Sequence, residues 1–133
     1  MNSTLILVLS PPRSRLAYHA LRLAQSLKNQ QKPFQVFFYQ DATTVADNQL
    51  WYADDELNIT QQWQNLAIDL PVCVSAAIQR GVMDQENIQR HQKLSDLERA
   101  ESPWHTNLAK GFSLVGLGQL AMAINESKHV IQF

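Results

Sequence analysis

A single cysteine in 133 residues excludes a disulfide scaffold and every cysteine-rich zinc module. Long apolar runs are missing as well, and none approaches the ~20 residues that a membrane span needs. Nor is there a surplus of charge of one sign. The formal net charge is −1 and the sequence pI about 6.4, so no basic excess points to direct nucleic-acid binding. What is present is enough to fold. With 45% hydrophobic and 17% charged residues the chain can build a core, so it is neither disordered nor a coiled coil. The length fits a single domain over residues 1–133.

Thr4-Leu5-Ile6-Leu7-Val8-Leu9 has the apolar character of a signal peptide without the basic residues that should precede one. Pro11-Pro12-Arg13 stands where a small-residue cleavage site would be. A short apolar run ended by a proline-rich turn reads instead as a strand buried on both faces. A cytoplasmic protein is expected, in keeping with a lone unpaired thiol.

Ser14 is placed to cap a helix reaching about Asn29, with Leu16, Ala20, Leu23, Ala24 and Leu27 as its apolar stripe. Lys32-Pro33 stops it, and Phe34 to Tyr39 reads as a second strand. Gln40 to Asn58 is polar, aperiodic and too long for an ordinary connection, so it hides a short helix or serves a site. Ile59 to Ala67 reads as a helix with Ile59, Trp63, Leu66 and Ala67 on one face. Leu70-Pro71-Val72-Cys73-Val74 reads as a third strand, with Pro71 tolerable only near its start. Ser75 to Arg80 is a short helical turn closed by Gly81. Asp84 can cap a helix to about His91, which Leu94, Leu97 and Ala100 prolong or follow with another, before a break at Ser102-Pro103. Phe112 to Val115, Gly118 to Asn125 and His129 to Phe133 complete a strand, a helix and a closing strand. This alternation implies a three-layer α/β domain with a mainly parallel sheet.

Charge is segregated along the chain. Residues 1–40 carry five Lys/Arg and no acid, and residues 41–69 carry six acids and no Lys/Arg. Solvated faces of opposite sign are the plain reading, and complementary patches that orient a protein partner are the sharper one.

Familiar motifs fail. Gly116-Leu117-Gly118-Gln119-Leu120-Ala121 matches a dinucleotide fingerprint, but an acidic residue should follow about 20 positions on and the sequence gives only 12 after Ala121. There is no Walker A loop and no Gly-x-Ser-x-Gly elbow. His19, His91, His105 and His129 show no metal-ligand spacing with each other or with Cys73. Trp51, Trp63 and Trp104 read as core or loop anchors. No cofactor and no metal is expected.

Cys73 remains. An isolated cysteine in an apolar strand is usually a small buried hydrophobe. Its place at the carboxyl end of a parallel strand, where open α/β sheets put their sites, argues for more. The Ser75-Ala76-Ala77 turn is positioned to aim helix N–H groups at the sulfur. Arg80 could add positive field, although a solvated helix-end cation suited to the dipole is the plainer reading. With no second cysteine, any thiol that takes over from Cys73 must belong to another molecule.

Five stretches together resemble the DsrE/TusD family of sulfur-relay proteins, and its TusD branch most closely. They are Ala20–Leu27, Val36-Phe37-Phe38-Tyr39, Leu70 to Val82 around Cys73, Gly111 to Leu120 with its Gly-Phe-x-Leu-x-Gly-Leu-Gly pattern, and Val130-Ile131-Gln132-Phe133. The resemblance implies a three-layer α/β/α sandwich around a five-stranded parallel sheet, with Cys73 as the catalytic cysteine that carries a persulfide. It also implies TusB- and TusC-like paralogues in a heterohexamer, a TusA-type sulfur donor and a TusE-type acceptor. The expected role is a sulfurtransferase subunit serving 2-thiolation of the tRNA wobble uridine. Other readings are a DsrE-type carrier in sulfur oxidation, a non-catalytic assembly subunit and a small-ligand or nucleotide-binding module. Two departures stand out: Gln40-Asp41-Ala42-Thr43 where the family commonly has a glycine, and a longer region from about Gln92 to Lys110.

Overall fold

The computed structural model describes residues 3–92 and 106–133. Five parallel strands form one sheet in the order β4-β3-β2-β1-β5. They are β1 (Thr4–Val8), β2 (Phe34–Phe38), β3 (Leu70–Cys73), β4 (Phe112–Val115) and β5 (His129–Gln132). The helices are α1 (Arg15–Asn29), α2 (Ile59–Asn65), α3 (Val74–Gln79), α4 (Gln85–Gln92) and α5 (Leu117–Glu126), with a 3₁₀ segment over Gln40–Ala46. The expected α/β class and five-stranded parallel sheet are both present.

Strand period divides the side chains between two faces. Ile6, Val8, Val36, Phe38 and Val72 pack with Ala17, Ala20, Leu21 and Ala24 of α1 and with Ile59 and Trp63 of α2. The Trp63 ring meets Phe38 edge-on at 5.1 Å between centroids. On the opposite face Leu5, Phe37 and Cys73 pack with Ala76 of α3 and with Leu120 and Ala123 of α5. These two clusters make the outer layers of the sandwich.

Local signals set the helix ends. Ser14 caps α1, its hydroxyl accepting from the Ala17 N–H at 3.1 Å. Ser14→Ala should cost about 1 kcal/mol in chemical denaturation, the usual worth of an N-cap side chain. Gly81 ends α3 at φ 81°, with its N–H bonded to the Ile78 carbonyl and that of Val82 to the Ala77 carbonyl. That left-handed closure is the one glycine supplies at least cost. Asp84 accepts from the Asn87 N–H at 2.9 Å at the start of α4. The aperiodic stretch after β2 does hide a helical segment, with Ala42, Thr43, Val45 and Ala46 buried.

Several expectations need correction. Leu16 is exposed, and the buried stripe of α1 runs through Ala17 and Leu21 in its place. Helix α2 stops at Asn65, so Ala67 lies beyond it, exposed and at φ 53°. Helix α3 begins at Val74 and α5 at Leu117, each one residue sooner than expected. The continuation through Leu94, Leu97 and Ala100, the break at Ser102-Pro103, Trp104 and His105 lie outside the described residues, as does most of the 92–110 region.

Candidate functional site

Cys73 is the last residue of β3 and the N-cap of α3. Parallel strands carry their neighbours' carboxyl ends to the same edge, so Cys73 lies in register beside Val115 of β4, with Phe38 of β2 paired to Val72 just before it. Its side chain is 1% exposed. The surrounding cluster is Leu5, Phe37, Ala76, Leu120 and Ala123, with Leu7, Tyr39 and Val115 packed at its margin.

One sequence expectation fails here. The Cys73 side chain takes no capping hydrogen bond from α3, so the helix N–H groups are not aimed at the sulfur as the Ser75-Ala76-Ala77 turn suggested. Arg80 differs from the solvated cation as well. Its Nη2 and Nε lie 3.0 Å from Asp41 Oδ1, and its Nη1 donates to the Ala76 carbonyl at 3.0 Å. The guanidinium thus joins the helix that follows Cys73 to the 3₁₀ segment that follows β2. Sequence reading singled out Gln40-Asp41-Ala42-Thr43 as a stretch near the site or a partner interface, but not the pairing of Asp41 with Arg80, because the two residues are 39 positions apart.

The same edge of the sheet carries a second polar cluster. Arg13, in the turn between β1 and α1, pairs with Glu56 at 2.8 Å, lies 4.8 Å from the centroid of the Tyr52 ring and donates to the Trp51 carbonyl. The Arg13 hydrogen bond, helped by the Ala53 N–H, holds the Glu56 carboxyl below its usual range. This bracing is therefore complete above the ordinary carboxylate pKa and is lost as pH falls through the lowered folded value. Arg13→Gln should move the Glu56 titration, followed by side-chain NMR, upward toward an ordinary carboxylate. Trp51 itself is 74% exposed, so its ring is not the anchor expected, whereas Trp63 is a core residue at 1%.

The remaining candidates stay apart. His19 is exposed on α1 beside Tyr18, and His129 is exposed on β5. Among the described residues no three His, Cys, Asp or Glu side chains gather as a metal site requires. Gly116 caps α5 and Gly118 lies in its first turn, and a Cβ at either would meet open space. A cleft of about 510 Å³ lies between Phe34, Gln35, Ile68, Asp69, Pro71 and Gln119. It opens near the amino ends of β2 and β3, at the opposite end of β3 from Cys73. Among the described residues no helix is long and apolar enough to cross a membrane.

The parallel order, the buried cysteine at the carboxyl end of β3 and the helices on both faces define a three-layer α/β sandwich. The chain belongs to the DsrE/DsrF-like family, whose profile matches residues 2–133. It is 41% identical over 102 residues to the protein named "Sulfurtransferase TusD homolog" of Aliivibrio fischeri, covering 74% of this chain and 71% of that protein. It is 38% identical to "Sulfurtransferase TusD" of Erwinia tasmaniensis, covering 74% and 72%. The crystal structure of the ychN protein from E. coli shares the fold, with a TM-score of 0.74 over the whole of both chains at 20% identity.

Proposed function

We propose that this chain is a sulfurtransferase subunit in which Cys73 accepts sulfane sulfur as a persulfide and hands it to an acceptor thiol. Membership of the DsrE/DsrF-like family and the sulfurtransferase names of its relatives support a sulfur-relay function. The observation that carries the residue assignment is that the one sulfur nucleophile of the sequence stands at the carboxyl end of a central parallel strand.

The chemistry is two successive exchanges. The Cys73 thiolate attacks the terminal sulfur of a donor persulfide. An S–S bond forms to Cys73 as the donor's own S–S bond breaks, and the electron pair leaves on the donor thiolate. An acceptor thiolate then attacks the terminal sulfur of the Cys73 persulfide, and Cys73 departs as thiolate. Bonds made equal bonds broken in each step, so no oxidant or reductant is consumed. Rates follow thiolate fraction, leaving-group pKa and access.

As a single 1–133 domain, the chain would work in the cytoplasm, receiving sulfur from a TusA-type carrier and delivering it to a TusE-type acceptor for 2-thiolation of tRNA. It would not contact the tRNA directly. Assembly with TusB- and TusC-like paralogues is supported by the surface of α5 and β5. Leu117, Met122 and Ile124 on α5 and Val130 and Ile131 on β5 are all exposed. A helix apolar on nearly every side is normally covered.

The test is intact mass after incubation with a cysteine desulfurase, free cysteine and a TusA-type carrier, with and without the paralogues. One added sulfur, removed by reductant, is the expected result. The burial of Cys73 favours one other reading, a non-catalytic subunit that serves assembly. Absence of loading even with the paralogues present would establish that reading instead.

A further inference from the structure

A sulfur relay needs an accessible thiol, and Cys73 is sealed. Two residues at the sheet edge help to seal it. Ala76 of α3 belongs to the buried cluster around Cys73, and Tyr39, just past β2, packs against that cluster. Arg80 joins these two walls. Its Nη1 holds the Ala76 carbonyl, while its other nitrogens hold Asp41, two residues beyond Tyr39.

The backbone on either side of this link has left-handed residues. Gln40, between Tyr39 and Asp41, sits at φ 52°, and Gly81, directly after Arg80, at φ 81°. Glycine adopts that conformation freely, but glutamine does so at a steric cost that persists only where surrounding contacts enforce it. Asp41 with its ion pair, and Thr43 with its hydroxyl on the Gln40 carbonyl at 2.8 Å, are the contacts that do so here. The link is also easily released. The Asp41 side chain is 65% exposed and that of Arg80 29%, so a docking protein can reach both.

We propose that Arg80 and Asp41 form a clasp that holds Cys73 closed in the unpartnered chain, and that opening it exposes the thiol for transfer. Both are positioning residues that act through Ala76 and Tyr39, without touching the reacting sulfur. This deepens the sulfur-relay reading by assigning the control of access to the same cysteine.

The test uses the full chain and the alkylation rate of Cys73 by iodoacetamide, read by intact mass under native conditions. Asp41→Asn and Arg80→Gln should each raise the rate about three- to fivefold, the range open to one largely exposed ion pair. The reversed pair, Asp41→Arg with Arg80→Asp, should return the rate toward that of the wild type. Gln40→Gly relieves the strained turn with the clasp intact and should slow alkylation. A rate unchanged in Asp41→Asn and Arg80→Gln overturns the clasp. So does a rise that merely follows global unfolding, shown by the same increase across a urea series in wild type and variants. Alkylation needs no sulfur donor, so these outcomes are independent of whether Cys73 ever carries a persulfide.

Discussion

Cys73→Ser should abolish sulfur loading completely, and Cys73→Ala should do the same at a smaller cost in stability. The difference follows from the surroundings of the side chain. Leu5, Phe37, Ala76, Leu120 and Ala123 enclose it with apolar atoms, and no capping bond reaches it. A serine hydroxyl placed there loses its water without gaining a partner, which costs about 1–3 kcal/mol on mutational scales. Alanine adds no polar atom and leaves only a void the size of one sulfur, costing about 1 kcal/mol by the scaling for small deletions. Loading, read as intact mass, and thermal unfolding, read by circular dichroism, therefore separate the chemistry from the fold. Both variants lose the first, and serine loses more of the second. Reducible sulfur still bound to Cys73→Ala would refute the persulfide reading, since the sequence offers no other thiol.

If Cys73 carries a persulfide as proposed, its burial has a consequence for the loaded state as well. A persulfide adds a second sulfur atom beyond Sγ, in a cluster packed at the density of an organic crystal. The added sulfur cannot occupy the space that Ala76, Leu120 and Ala123 already fill. Loading must displace one wall, and the wall that release of the Arg80–Asp41 clasp would free is α3, which lines the cluster through Ala76. The movement that admits a donor and the movement that accommodates the product are thus one movement of the 74–80 segment. On that account a partner that stabilises the open position speeds both the loading step and the unloading step.

Much of the sheet was legible because its strands are buried on both faces. Leu5-Ile6-Leu7-Val8 and Val36-Phe37-Phe38 are apolar at consecutive positions, which a half-exposed strand or a surface helix would not be. The position of Cys73 at the end of β3 was legible for the same reason, since Leu70 to Cys73 is another such buried run. The face of α1 was read less well. Period 3.6 fixes the spacing of a stripe and not its phase, and with Leu16, Ala17, Ala20, Leu21, Leu23 and Ala24 all apolar, two neighbouring stripes fit equally. The position of the sheet beneath the helix decides between them, and a local window does not contain it. The Arg80–Asp41 and Arg13–Glu56 pairs were invisible for a related reason. They join residues 39 and 43 apart, and neither spacing has any local periodicity.

Asn107 gave no sign in the sequence of what it holds together. It is 6% exposed, and its side chain joins the Gly81–Met83 backbone to the Asp47 carboxylate. Oδ1 accepts from the Met83 N–H at 2.8 Å, and Nδ2 donates to the Gly81 carbonyl at 2.8 Å and to Asp47 Oδ1 at 3.1 Å. Its own N–H and carbonyl bond Met83 and Asn48. It thereby fixes the exit of α3, one residue past Arg80, to the loop beyond the 3₁₀ segment. Asn107→Ala strands a buried donor at Met83 and leaves the exposed Gly81 carbonyl to water, so the expected loss is about 1–3 kcal/mol. That corresponds to a Tm lower by up to roughly 10 °C for a domain of this size. Asn107→Asp is the more telling variant. It keeps the acceptor for Met83 but turns the donor into an oxygen facing the Asp47 carboxylate and the Gly81 carbonyl. Two close carboxylates raise the pKa of the introduced group in the folded state above its unfolded value. The penalty is then small below the unfolded pKa, grows as pH rises between the two values and is complete above the folded one. The Tm deficit of this variant against wild type should be large at about pH 7.5 and should shrink markedly at about pH 4.5, near the carboxylate range. The Asn107→Ala deficit has no proton to gain and should change little between the two. Equal deficits for Asn107→Asp at both pH values would mean that the side chain fills space at this junction and that its hydrogen bonds do not organise it.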